Sequence, residues 1–146
     1  MDGDTKLPDI LVVEDFAPFR EVIRKSLHKA LPLATIHEAA DGWEAVEKAK
    51  ELRPTLVLLD IGLPGLSGLE VAKHIHGLSP DIRILFVSGQ TSADVVQATV
   101  RLGAAGYVHK GSVSKDLIPA VEAVLLGKRF IGSSIGPDAA SFSQRT

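Results

Sequence analysis

Residues 55–60 read Thr-Leu-Val-Leu-Leu-Asp: an unbroken apolar run that ends on a carboxylate. A half-covered strand alternates apolar and polar residues, so a continuous short run is the pattern of a strand buried on both faces. Pro54 stands just ahead and ends the preceding helical pattern, because proline pushes the residue before it out of helical space. Upstream, Ile10-Leu-Val-Val13 is a similar run ending at Glu14-Asp15, and Ala34 to Glu38 is a weaker strand. Downstream, Ile82 to Val87 ends at Ser88, and Ala105 to Val108 leads to Lys110. Helical patterns fill the intervals. The first opens at Pro18 and carries Phe19, Val22, Ile23, Leu27, Ala30 and Leu31 at helical spacing. A second runs from about Asp41 to Leu52. A third opens at Ser67, with Glu70 three residues on as its capping box. Thr91 and Ser92 can cap a fourth, which Gly103 terminates. A fifth covers about Ser114 to Leu126, and Pro119 near its fifth position predicts a loosened first turn. Strand and helix in regular alternation predict a parallel sheet with helices packed on it.

The bulk properties narrow the function. The 146 residues suit one domain, with 45% hydrophobic and 23% charged residues. A net charge of -2 leaves no basic excess for a phosphate backbone. The chain contains no cysteine, which excludes disulfides, thiolate catalysis and cysteine-ligated metals. Residues 1–8 lack the order of a signal peptide, and no apolar run is long enough to span a bilayer, so a cytoplasmic location is expected. The expected organisation is an N-terminal tail over 1–7, one domain over 8–127, and a small, polar tail or linker over 128–146.

Four of the predicted strands end, on their carboxyl side, in residues suited to phosphate or metal chemistry: Glu14 and Asp15, Asp60, Ser88, and Lys110. In a parallel sheet these ends share one rim, where open α/β sheets bind ligands. Neighbouring strands are about 4.8 Å apart, so such side chains can converge on one ligand. Clustered carboxylates repel one another unless a cation joins them, and magnesium favours a few carboxylates, waters and a phosphate oxygen. A lysine adds a point charge and a serine a hydroxyl donor for phosphoryl oxygens. Attack of a carboxylate on phosphorus yields an aspartyl phosphate.

The fragments Ile10-Leu-Val-Val-Glu-Asp15, Leu56-Val-Leu-Leu-Asp60 with Leu63-Pro64-Gly65 and Gly68, Phe86-Val-Ser88, and Gly103-Ala-Ala-Gly-Tyr-Val-His-Lys110 together resemble the response-regulator receiver domains of two-component signalling. The resemblance covers about residues 8 to 127. It implies a flavodoxin-like, doubly wound five-stranded parallel sheet in order 2-1-3-4-5, with two helices on one face and three on the other. By the same resemblance Asp60 is the phosphoacceptor, and Glu14 and Asp15 are the metal-binding pair with Asp60. The Gly62 carbonyl completes the shell of Mg2+ or Mn2+. Ser88 and Lys110 contact the phosphoryl group, while Ser88 and Tyr107 form the switch. The implied donor is a sensor histidine kinase or a histidine phosphotransfer protein, and a homodimer is a further candidate assembly. Such a domain is a self-phosphorylating and self-dephosphorylating switch rather than an enzyme with a separate substrate. Gly111 stands where most receivers have proline, and the Lys-Gly-Ser that follows Val-His resembles receivers found ahead of helix-turn-helix output domains. The 19 residues from Lys128 to Thr146 are too few for such a domain, so the chain is expected to bind no nucleic acid itself.

The alternatives are a pseudo-receiver used only as an interaction module, or the amino-terminal fragment of a two-component transcription factor. A haloacid-dehalogenase-type phosphatase needs a second aspartate where Gly62 stands, and a flavin carrier needs a Ser/Thr-rich loop where Asp15-Phe-Ala-Pro stands. His74 and His76, two apart on a helix, are expected to point to different sides, and His109 to face away from Lys110. Trp43 is expected to pack, partly covered, at the start of the second helix.

Overall fold

The structure, a computed structural model, describes residues 7–132. Its elements in chain order are β1 (Asp9–Val13), α1 (Ala17–Ala30), β2 (Thr35–Ala39), α2 (Gly42–Leu52), β3 (Leu56–Leu59), α3 (Gly68–Leu78), β4 (Arg83–Ser88), α4 (Ala93–Arg101), β5 (Gly106–His109), α5 (Val113–Leu125) and β6 (Phe130–Ile131). The strands form one sheet in the order β2-β1-β3-β4-β5-β6, and every pairing is parallel.

The unbroken apolar runs are explained by two cores, one on each side of the sheet. Ile10, Val12, Leu56, Leu58, Leu85, Val87 and Val108 meet Ile23 and Leu27 of α1 and Leu117, Val121 and Val124 of α5. The alternate residues Leu11, Val13, Val57, Leu59, Ile84, Phe86 and Tyr107 meet α2, α3 and α4 through Ala45, Ala49, Val71, Ile75 and Val96. A strand with a core on both sides has no polar face to show. Truncating one of these buried leucines to alanine costs about 2–5 kcal/mol.

The predicted order 2-1-3-4-5 and the split of two helices and three are observed, and a sixth strand extends the sheet beyond β5. Phe130 and Ile131 lie past Gly127, where the sequence predicts a tail, because two residues are too short to show a period. Backbone bonds define the strand instead: Phe130 N donates to Ala105 O at 3.1 Å and Gly132 N to Tyr107 O at 2.8 Å. The rest of the predicted C-terminal tail and residues 1–6 lie outside the described residues.

Helix ends follow their capping residues. Asp41 caps α2 by accepting from Glu44 N at 2.8 Å, and Glu44 Oε1 accepts from Ala40 N at 2.8 Å. That second bond holds the Glu44 carboxyl below the ordinary glutamate value. Ser67 accepts from Glu70 N and Ser92 from Val95 N, as the capping patterns predict. Val22, placed in the predicted stripe of α1, is half exposed, and only Ile23 and Leu27 of that helix are fully buried. A 3-10 turn over Lys110–Ser112 precedes α5, which starts at Val113, so Pro119 lies at its seventh position rather than its fifth. Among the described residues no helix is long and apolar enough to cross a membrane.

Candidate functional site

The carboxyl ends of β1, β3, β4 and β5 are adjacent in the sheet, so Glu14, Asp60, Ser88 and Lys110 arrive at one rim. Glu14 is 1% exposed and Asp60 6%, although both are acidic. Ionised groups at such depth need compensation. Lys110 supplies it: its Nζ lies 2.8 Å from Glu14 Oε1 and 2.9 Å from Asp60 Oδ2. Burial works against the ammonium, but the two carboxylates outweigh it and hold Lys110 above the ordinary lysine value. The same Nζ sits 5.1 Å over the Phe19 ring, a favourable cation–π placement.

Asp15 is exposed, yet one oxygen from each of Glu14, Asp15 and Asp60 can be chosen so that all lie within 4.8 Å of one another. Three carboxylates so close, two of them buried and all beside a wet rim, fit a hard divalent cation. Gly62 follows in the exposed loop after β3. Backbone bonds brace the carboxylates: Phe16 N donates to Glu14 Oε2 at 3.0 Å, and Asp60 N to Val13 O at 3.2 Å. On the far side of β3, a Cβ at Gly68 would stand 2.0 Å from the Asp60 carbonyl oxygen, so only glycine lets α3 begin there.

Ser88 is buried and its Oγ accepts from Gln90 N at 3.2 Å. Tyr107 is fully buried, its ring roughly parallel to that of Phe86 at 6.3 Å, and its hydroxyl donates to Gln90 O at 2.6 Å. Burial pushes this phenol above the ordinary tyrosine value, against the neighbouring Ser88 hydroxyl. The aromatic ring is thus inward in this structure.

Of the site residues singled out in the sequence, Glu14, Asp15, Asp60 and Lys110 come together, Ser88 ends the adjacent strand β4, Gly62 lies in the loop after β3, and Tyr107 bonds the carbonyl of Gln90, whose amide bonds Ser88. Several partners escape a reading of the sequence. Phe19 looks like one more apolar helix residue. Gln90 carries no pattern, and it acts through its backbone. Arg20 resembles any helix cation, yet its Nη1 donates to Glu14 O at 2.7 Å and its Nε to Glu38 Oε1 at 2.9 Å. The spacing of six between Glu14 and Arg20, one turn into the helix, was the available signal.

Trp43, expected to pack partly covered, is instead 57% exposed, because it stands in the first turn of α2 with His74 as its ring neighbour. His74 faces Trp43, with ring centroids 6.2 Å apart, while His76 lies against Gly103, so the two histidines do not share a site. The His109 ring lies against Gly111, and all peptide bonds among the described residues are trans.

Residues 10–122 match the family model of the response regulator receiver domain. The chain is 32% identical over 131 residues to the response regulator GacA of Pseudomonas viridiflava, covering 90% of this chain and 61% of that protein. It is 30% identical over 132 residues to the response regulator UvrY of Escherichia coli K12, with the same two coverages. The chain therefore spans about three fifths of the length of these relatives. Among solved structures, a LuxR-family two-component response regulator from Aurantimonas sp. SI85-9A1 superposes with a TM-score of 0.83 at 31% identity, covering 96% of this chain and 97% of that one.

Proposed function

This chain belongs to the response regulator receiver family, and we propose on that premise that Asp60 is its phosphoacceptor. One observation carries the assignment: Lys110 bridges the buried carboxylates of Asp60 and Glu14 on the carboxyl rim of a parallel sheet, with Asp15 completing the acidic cluster. The proposed donor is a phosphohistidine on a sensor kinase or a phosphotransfer protein. An Asp60 carboxylate oxygen attacks phosphorus, the P–N bond breaks, and the imidazole leaves with the electron pair and takes up a proton. The product is an acyl phosphate.

Glu14, Asp15 and Asp60, with the Gly62 carbonyl, are the groups that would hold Mg2+ or Mn2+. A cation bound there supplies charge neutralisation for the transferring group. Lys110 is placed to move its ammonium from the carboxylate oxygens to those of the phosphoryl group, and Ser88 to donate its hydroxyl. Water later attacks the phosphorus, the acyl O–P bond breaks, and inorganic phosphate leaves with the Asp60 carboxylate restored. The chain thus promotes its own phosphorylation and dephosphorylation and turns over no other substrate. Its output is a changed surface offered to a partner, a second copy or a further domain.

Incubation with acetyl phosphate and magnesium tests the assignment. Intact-mass spectrometry is expected to show one added phosphoryl group on the wild type and none on Asp60→Asn. The same adduct on the variant would overturn the assignment.

A further inference from the structure

Glu14 and Asp15, two of the three carboxylates in the acidic cluster, lie on the turn between β1 and α1, and one residue holds that turn at both ends. Arg20 Nη1 donates to Glu14 O at 2.7 Å, and the Arg20 backbone amide donates to Phe16 O at 3.0 Å. Asp15 stands between these two points. It is exposed, and among the described residues no hydrogen bond or ion pair holds its carboxylate, so its aim is set by the backbone of the turn.

The far end of the clamp is fixed as well. Arg20 Nε lies 2.9 Å from Glu38 Oε1 on β2, and Arg24 Nε approaches the other Glu38 oxygen at 3.9 Å. Lys48 Nζ donates to the Glu38 carbonyl, and Glu38 pairs with Val12 in the sheet. Arg20 thus ties the turn to β2 through two nitrogens of one planar fork, with only 20% of its side chain exposed. Helix energetics do not account for a cation here. Arg20 stands close to the start of α1, and the N-terminal end of a helix disfavours positive charge. An ordinary ion pair with Glu38 does not account for it either, because such a pair has no need of the Glu14 carbonyl.

We propose that Arg20 is a positioning residue for the bound cation: its hold on the turn of residues 14–16 keeps the site shaped for Mg2+ against a larger divalent ion. The proposal deepens the reading of Glu14, Asp15 and Asp60 as cation ligands and rests on it. Mg2+ demands near-ideal octahedral geometry with oxygens at about 2.0–2.1 Å, whereas Ca2+ accepts more oxygens, at about 2.3–2.6 Å, in flexible arrangements. A turn held at both ends suits the first ion, and a slack turn suits the second. Charge acts differently. The Arg20 cation repels either ion alike, so its loss tightens both by a similar factor, and the ratio of the two affinities reports shape.

Amide-shift titrations by NMR on the full chain, with MgCl2 and separately CaCl2 at constant ionic strength, test this. Arg20→Met removes the charge and the fork but keeps an apolar stem. Its Mg2+-to-Ca2+ affinity ratio is expected to fall about tenfold, the lower end for losing a residue that orients metal ligands. Arg20→Lys keeps the charge but cannot reproduce the fork, and its ratio is expected to fall in the same direction. An unchanged ratio in Arg20→Met would overturn the proposal. So would a wild-type ratio in Arg20→Lys, because charge without the fork would then be enough. Thermal melts without metal identify a variant that does not fold, and the other variant then decides. Binding of neither ion to the wild type would overturn the cation reading of the cluster and the proposal with it, whereas binding with an unmoved ratio overturns the clamp alone.

Discussion

Lys110 links the stability of the molecule to its chemistry, because one ammonium neutralises two carboxylates that the fold has buried. Removing it by Lys110→Met is expected to destabilise the domain by about 3 kcal/mol, the lower end for a broken buried pair, since the lysine is partly exposed. The same change removes a cation that competes for the acidic cluster. Magnesium is therefore expected to bind the variant about three- to tenfold more tightly, measured by calorimetry. Weaker binding would mean that Lys110 positions the carboxylates more than it competes. The pH dependence follows from two groups. Lys110 and Tyr107 both hold their protons more tightly when folded than their ordinary values imply. Their stabilisation is complete below the unfolded values and is lost as pH rises through the folded ones. Denaturant melts are thus expected to weaken in the alkaline range above pH ~10, with a shallower decline in Tyr107→Phe. At this scale Glu14, Asp15, Asp60, Ser88 and Lys110 were legible in the sequence because each ends or follows an apolar run. Arg20 and Gln90 were not, since one acts across a helix turn and the other through its backbone.

Among the elements, α3 is the one tied most closely to Asp60. It starts against the Asp60 carbonyl only because residue 68 has no side chain. Gly68→Ala is expected to cost about 1–3 kcal/mol, the usual range for overpacking, and to slow phosphorylation from acetyl phosphate by displacing the end of β3. A thermal melt and a mass time course check the two effects separately. The caps make a milder comparison. Asp41→Ala at the start of α2 removes a 2.8 Å bond and is expected to cost about 1 kcal/mol; Ser92→Ala removes a 3.4 Å bond and costs less. The starts of α2, α3 and α4 were legible because a capping side chain announces each. The start of α5 was not, because no side-chain cap marks it and a 3-10 turn leads into it. β6 was hidden for a similar reason: its evidence is two backbone hydrogen bonds to β5, which no residue pattern encodes.

For the molecule as a whole, the parallel sheet was readable because two cores leave each central strand apolar on both faces, whereas its doubly wound strand order came from the family resemblance. The sheet brings a cluster of three carboxylates and a bridging lysine to a single edge. Its net charge of -2 predicts no salt-sensitive gel shift with duplex DNA for this chain alone, and a shift that weakens with salt would contradict that. On the proposed assignment, a phosphoryl group resides on Asp60 as an acyl phosphate. Borohydride reduces an acyl phosphate to an alcohol and leaves a free carboxylate untouched, so it marks the phosphorylated residue covalently. After treatment with acetyl phosphate and magnesium, reduction and peptide mapping are expected to place homoserine at position 60. Homoserine at Glu14's neighbour Asp15 or at another aspartate, with position 60 unchanged, would contradict the account.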